Sequence, residues 1–275
     1  MNNYVQGKVI IVTGAGSGFG KLVSEKASAM GGKLVCADVN EEGVKAVVEG
    51  IQKKGDEAAH LKADVSKKEQ MDALAEFATK KYGRIDVMVN NAGTMPLSFF
   101  ADHGRAWQAW DKCIDINIKG VVYGISAVYD QMIKQGQGHI VNVSSTYSNF
   151  PVVGSGVYQA SKIAVRYISE SLRQEAKGKI KVSVVRPSGV PATGLLGTVI
   201  NQEGLMGIMG QNFMEGFKTL QELPGNPELL DKESIKLYML DPDSVAESIV
   251  YVMNQPWGIN IGDIAVRASG EPFIL

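Results

Sequence analysis

Seven short, almost continuously apolar runs punctuate this chain, and a longer stretch separates most of them from the next. The runs are KVIIVT (8–13), KLVCA (33–37), AAHLK (58–62), DVMVN (86–90), GHIVNVS (138–144), IKVSVV (180–185) and INIGDIAV (259–266). A strand with one wet face alternates apolar and polar residues. Runs that are apolar throughout suit strands covered on both faces, as in a parallel sheet. Helical patterns occupy 18–30, 41–54, 67–82, 106–135, 156–177 and 243–254. Parallel strands need long crossovers and helices supply them. The alternation therefore predicts an α/β fold: a doubly wound, seven-stranded parallel sheet with helices on both faces and right-handed connections. Ser66 before Lys67, and Asp241 with Pro242 before Asp243, are the predicted helix starts. One stretch breaks the rhythm. Residues 187–240 hold no predicted strand and are rich in Gly, Pro and Met.

One such sheet accounts for the whole length, 275 residues, since α/β domains commonly run to about 250 residues. No linker or repeat separates a second core. The expectation is a single domain over 1–275, with an insertion at about 190–240 after strand six that acts as a substrate lid. Twenty-eight basic residues against 29 acidic ones give a net charge of -1. That balance lacks the cationic excess that phosphate backbones demand, so no nucleic-acid partner is expected. No segment is apolar enough for a signal peptide or a membrane span, which predicts a soluble, cytoplasmic protein with no membrane partner. Cys36 and Cys113 are too few for a zinc cluster. His60, His103 and His139 lack ligand spacing, so no metal is expected.

The first strand runs into Thr13-Gly14-Ala15-Gly16-Ser17-Gly18-Phe19-Gly20 and then into a helical pattern. A tight strand-to-helix turn demands unusual backbone angles, and a pyrophosphate must approach bare backbone. The helix start then offers free N–H groups and the positive end of its dipole. The spacing is T-G-x-x-x-G-x-G, on Gly14, Gly18 and Gly20. Gly14, Ser17, Gly18 and Phe19 are the candidate contacts to a dinucleotide. Asp38, 20 residues beyond Gly18 at the end of the second run, can accept both adenosine ribose hydroxyls and repel a 2′-phosphate. No cation stands at 15–17 to hold such a phosphate, so the predicted cofactor is NAD and not NADP.

Further on stand Asn90-Asn91-Ala92-Gly93, Asn117, Ser144-Ser145 and Tyr158-Gln159-Ala160-Ser161-Lys162. Tyr158 and Lys162 are four apart and share a helix face. With these motifs the chain resembles the short-chain dehydrogenase/reductase family over nearly its whole length. The matching elements are TGAGSGFG, Asp64-Val65, NNAG, Asn117, Ser145 and Y158-QAS-K162, in family order. The resemblance implies a single-domain Rossmann fold and an NAD(P)-dependent oxidoreductase assembled as a homotetramer or homodimer. It also implies that Asp64 and Val65 border the adenine, and that Asn91, Ala92 and Gly93 line the cofactor side of the sheet. Asn117, Ser145, Tyr158 and Lys162 are then the catalytic residues, with Asn117 holding a water that relays protons from Lys162. A free phenol, with a pKa near ~10, is too weak a base at neutral pH. The ammonium of Lys162 is expected to lower it, and Ser145 to orient the substrate oxygen.

After the sixth strand many relatives read P-G-x-V-x-T. Here the run is Pro187-Ser188-Gly189-Val190-Pro191-Ala192-Thr193. The glycine is displaced and the threonine comes one place late. Pro187 and Val190 remain candidate cofactor contacts. Residues 194–220 are apolar and rich in Gly and Met, which make adaptable walls and hinges. The expected substrate is therefore bulky and apolar, such as a hydroxysteroid or bile acid with a secondary alcohol. Met95, Leu97, Tyr147 and Phe150, together with Ser145 and Tyr158, are the candidate substrate contacts. Two alternatives stand beside this reading: a dehydrogenase or reductase of small keto compounds or sugar alcohols, and a non-catalytic NAD-sensing protein.

Overall fold

The computed structural model describes residues 2–191 and 193–274. All seven predicted strands form and pair in parallel: β1 (Val9–Thr13), β2 (Lys33–Asp38), β3 (Ala58–Lys62), β4 (Val87–Asn90), β5 (Gly138–Val143), β6 (Ile180–Pro187) and β7 (Asp263–Val266). Their order is β3-β2-β1-β4-β5-β6-β7. The chain runs outward one way from β1, then returns across it to β4. At that reversal the loops leaving β1 and β4 diverge and open a cleft beyond the carboxyl ends of the strands, where open α/β sheets bind ligands.

The helices are α1 (Gly18–Ala29), α2 (Glu41–Gln52), α3 (Lys68–Tyr82), α4 (His103–Ile114), α5 (Gly120–Gln135), α6 (Gly156–Glu175), α7 (Phe213–Glu222) and α8 (Pro242–Met253). Two apolar layers sandwich the sheet. On one face α1, α2 and α8 bury Val23, Val44 and Ile249 against Ile10, Val12 and Val89. On the other, α3 and α5 bury Leu74 and Val128 against Ile11 and Met88. Alternate residues of β1 thus feed opposite layers, which is why its run is apolar throughout.

Three local expectations are corrected. The helix expected over 106–135 begins at His103 and is interrupted by a five-residue π-helical turn, Asp115–Lys119. Ser66 does not cap α3: its hydroxyl donates to the Asp64 carboxylate at 2.7 Å, and the helix starts at Lys68. The last run, read as a covered strand from 259, pairs only over Asp263–Val266 at the sheet edge, with Asp263 and Ala265 exposed. Asp241 does cap α8, accepting from Ser244 N at 2.6 Å, with Pro242 in the first turn.

His139 sits on β5 at the end of the sheet opposite the cleft. It is fully buried, sharing a hydrogen bond of 2.8 Å between Nε2 and Ser183 Oγ, while Nδ1 has no partner among the described residues. Burial above all, and then the Lys181 and Lys8 ammonium groups, hold its pKa well below the usual imidazole range. The unfolded chain takes up a proton near pH 6.5 and the native chain does not. The contribution of His139 to stability is therefore complete above that pH and is lost as pH falls below it, by about 1.4 kcal/mol per pH unit. Urea unfolding at pH 7.5 and pH 5.5 is expected to show this slope, and His139→Asn to flatten it. An equal slope in the variant would show that the imidazole is protonated where it stands.

Candidate active site

Thr13, the last residue of β1, ties the two strands at the switch point together. Its Oγ1 donates to Val89 O at 3.2 Å and accepts from Asn91 N at 3.1 Å and Ala92 N at 3.2 Å. Asn91 returns the contact, Nδ2 donating to Thr13 O at 2.9 Å. The turn that follows needs glycine at Gly14 (φ +65°) and Gly18 (φ +51°), a region that side chains disfavour. Gly20 is required by approach: a Cβ there would lie 2.2 Å from Gly14 O. Ser17 precedes α1 without capping it, so no side chain is spent on the first-turn N–H groups, and the space before Gly18 is open. An uncapped helix start behind bare backbone fits a dinucleotide pyrophosphate. Phe19 and Asn91 line the adjoining cavity. Asp38 closes the turn from the side: Oδ2 accepts from Gly16 N and Oδ1 from Asn40 N, both at 2.9 Å. Asp64 and Val65 stand farther out. Asp64 accepts from Ser66, and Val65 packs under Gly120, whose Cβ would come within 2.8 Å of it.

Beyond β5 the chain turns at Ser144-Ser145, and α6 brings Tyr158 and Lys162 to the same place. Ser145 Oγ donates to Pro187 O at 3.3 Å and accepts from Tyr147 N at 3.2 Å. Lys162 Nζ donates to Val143 O at 3.0 Å and lies 5.8 Å from the Tyr158 ring centroid. The Tyr158 ring meets Tyr147 edge to face, centroids 5.4 Å apart. Asn117 occupies the π-turn. Its Oδ1 accepts from Thr94 N at 2.9 Å, and its Nδ2 donates to Thr94 O at 2.9 Å and Ser161 Oγ at 3.0 Å. A Cβ on Gly93 would stand 3.4 Å from Asn117 Oδ1 and 3.6 Å from Lys162 Nζ, so the three are contiguous.

The electrostatics differ from expectation in one respect. Lys162 was expected to lower the phenol of Tyr158, but burial dominates and pushes it up. The group that draws it down is Ser145, by a hydrogen bond. The same burial lowers Lys162 to about 8, because desolvation penalises its ammonium. Cys113, also buried, joins the Asn117 network: its Sγ accepts from Asn117 Nδ2 at 3.3 Å and donates to Ser161 Oγ at 3.8 Å.

Tyr158 and Ser145 form the floor of a cavity of about 290 Å³. Met95, Tyr147, Pro187 and Val190 line it. Leu97 and Phe150 do not. Leu97 is wholly buried behind the wall, its carbonyl accepting from Ile200 N and Asn201 N, while Phe150 is 57% exposed. Thr193 also lines the cavity, its hydroxyl reaching Val190 O at 3.4 Å; Ala192 lies outside the described residues. Residues 194–212 form short 3₁₀ turns that roof the cavity with Leu205, Met206 and Met209. Sequence reasoning missed Phe273, which closes one wall. Among the described residues no three His, Cys, Asp or Glu side chains gather as a metal site would, and no helix is long and apolar enough to cross a membrane.

Known proteins agree with this architecture. A chain in complex with NAD, a short chain dehydrogenase/reductase from Burkholderia phymatum, superposes with a TM-score of 0.75 at 28% identity, over 96% of this chain and 90% of that one. A metagenomic short-chain oxidoreductase in complex with NADP superposes at 0.73 with 25% identity, over 96% and 98%. An uncharacterized oxidoreductase of Staphylococcus saprophyticus is 35% identical over 275 residues, covering 98% of this chain and 99% of its own. The model of the short chain dehydrogenase family matches residues 8–204. With its strand order, its glycine turn and these relatives in agreement, the chain belongs to the short chain dehydrogenase family of oxidoreductases.

Proposed function

We propose that this protein interconverts a secondary alcohol and its ketone with NAD, and that the substrate is bulky and apolar, a hydroxysteroid or bile acid in class. The observation that carries the reading is the buried Ser145–Tyr158–Lys162 group at the floor of a mostly apolar cavity, beside the glycine turn. When bound, the nicotinamide accepts or returns the hydride. Tyr158 moves the proton: its Oη takes the hydroxyl proton of the alcohol, or gives one to the carbonyl oxygen in the reverse direction. Ser145 Oγ holds that same oxygen and fixes its distance from Tyr158. Lys162, anchored on Val143 O, would hold the cofactor ribose. The hydrogen bond with Ser145 is what favours the phenolate when Tyr158 acts as base. Asn117 holds the 93–94 turn in place, its amide bonded to both the N–H and the carbonyl of Thr94.

Bound water would compete for the proton, and the roof over 194–212 excludes it, in keeping with a lid. Asp38 supports NAD over NADP: its carboxylate is fixed at the turn by Gly16 N, where a 2′-phosphate would be repelled. Exposed Trp107, Ile114 and Val122 on α4 and α5, with Ile163 and Tyr167 on α6, support packing between copies as a dimer or tetramer.

The test is a panel of hydroxysteroids, bile acids, sugar alcohols and simple secondary alcohols, assayed with NAD and NADP in parallel, for the wild type and Asp38→Ala. Turnover is expected with the bulky alcohols and NAD. Asp38→Ala is expected to shift the NAD/NADP ratio toward NADP by about tenfold or more, the equivalent of about 1.4 kcal/mol. A wild type that prefers NADP overturns the role of Asp38. NAD binding without turnover of any alcohol would identify a sensing protein instead.

A further inference from the structure

The loop after β6 carries its glycine one place later than the P-G-x-V order of the relatives, at Gly189, with Ser188 in the earlier place. Both residues have a partner in the segment 267–274. A Cβ on Gly189 would lie 2.4 Å from Phe273 Cε2 and 2.8 Å from Cζ. Gly189 is not among the glycines with positive φ. The approach of the ring, and not the backbone conformation, is what leaves no room for a side chain there. Ser188 Oγ donates to Glu271, and Ser188 N donates to Val266 O at 3.0 Å.

The same segment is fixed on its other side to the roof. Asn212 Nδ2 donates to Pro272 O at 2.9 Å, and Ile274 N donates to Ile208 O at 3.0 Å. The backbone on either side of Phe273 is therefore held. Its ring lies in the notch at Gly189 and faces the cavity that Tyr158 and Val190 also line.

We propose that Phe273 is a specificity-determining residue of the substrate cavity, seated in the notch that Gly189 leaves and setting the size of substrate that reaches Tyr158. The proposal rests on the reading of this cavity as the site for a secondary alcohol. The held backbone fixes where the ring enters the cavity, so its bulk sets the extent of that wall. Truncating it lengthens the cavity. Adding a methyl at 189 displaces the ring toward the space substrate needs. Removal of the ring abolishes that second effect, because nothing is left to displace.

The experiment compares wild type, Phe273→Ala, Phe273→Leu, Gly189→Ala and the double variant Gly189→Ala/Phe273→Ala. One readout is kcat/KM with NAD for cyclohexanol and for a 3-hydroxysteroid. The other is the affinity for 8-anilinonaphthalene-1-sulfonate without NAD. Phe273→Ala is expected to move the bulky-to-compact ratio about tenfold toward the steroid, and Phe273→Leu by less, in the range that pocket methylenes set. Gly189→Ala is expected to lower dye affinity and steroid turnover about fivefold, and the double variant to return to the values of Phe273→Ala. A ratio within about twofold of wild type in both Phe273 variants, or a Gly189→Ala loss that persists in the double variant, overturns the proposal. If wild type oxidises neither alcohol, the secondary-alcohol reading fails and dye affinity alone decides. A fivefold change at 273 or 189 supports the wall, and unchanged affinity overturns it.

Discussion

Tyr158→Phe is expected to lower turnover by about 10²–10⁴-fold, the range for losing a positioned acid or base, while fold and NAD affinity stay near wild type. The substitution removes one oxygen. The ring keeps its edge contact with Tyr147, 5.4 Å between centroids, and its burial in the cavity floor. Ser145 keeps Pro187 O and Tyr147 N as partners, so no buried hydroxyl is orphaned. Lys162 keeps Val143 O. What disappears is the hydroxyl proposed to carry the proton at the substrate oxygen. Burial raises the phenol, so it is protonated at neutral pH, the form that the proposed donation to a ketone requires. Steady-state kinetics in both directions, with a thermal melt and an NAD titration, read the result. Turnover within about tenfold of wild type would show that another group moves the proton.

Gly20→Ala is expected to cost about 1–3 kcal/mol of stability, as overpacking does, and to weaken NAD binding by more than tenfold. The added methyl would stand 2.2 Å from Gly14 O and 2.7 Å from Asn91 Nδ2. Neither can retreat cheaply. Gly14 is already in a left-handed conformation, and Asn91 is tied to Thr13 on β1. Relief must come from moving the turn, which is the surface offered to the pyrophosphate. Gly50 is the control. It lies within α2 with no atom within 4 Å of where a Cβ would go. Gly50→Ala is expected to stabilise the protein by about 0.5–1 kcal/mol and leave NAD affinity alone. Urea unfolding and a fluorescence titration with NAD distinguish the two. Equal effects at 20 and 50 would show that the turn tolerates a side chain.

The sheet was legible because burial on both faces writes itself into composition: every residue of β1 and β5 is buried, and their runs are apolar with little interruption. The floor of the cavity was legible because Tyr158 and Lys162 lie one helical turn apart, a spacing that survives any change in packing around them. The roof was not. Short 3₁₀ turns over 194–212 have no sustained periodicity, so nothing in their order says which of Leu205, Met206 or Met209 faces inward. Leu97 and Phe150 look alike as apolar residues near the site, yet one is held behind the wall by backbone bonds and the other faces out. Phe273 was invisible for a different reason: its partner is a missing side chain 84 positions earlier, at Gly189. Nor does the 3.6-residue pattern of 106–135 distinguish a straight helix from one widened at Asp115–Lys119, because the apolar face resumes on the far side.

That widened turn makes the helix count its residues. A regular α-helix advances about 100° per residue, and a π-turn absorbs one extra residue within a single loop of the coil. Removal of any one residue from 115–119 would let the coil tighten into regular α-helix, with α4 and α5 kept in phase and the loss confined to the widened turn. Asn117 would lose its place against Thr94 and Ser161, while Trp110, whose Nε1 donates to Ser98 Oγ at 2.8 Å, would keep its own. Loops in this protein can gain or lose residues with local consequences. A deletion within α4 or α5 would instead rotate one helix against the other by about 100°, so the widened turn alone can give up a residue, and what it gives up is the seat of Asn117.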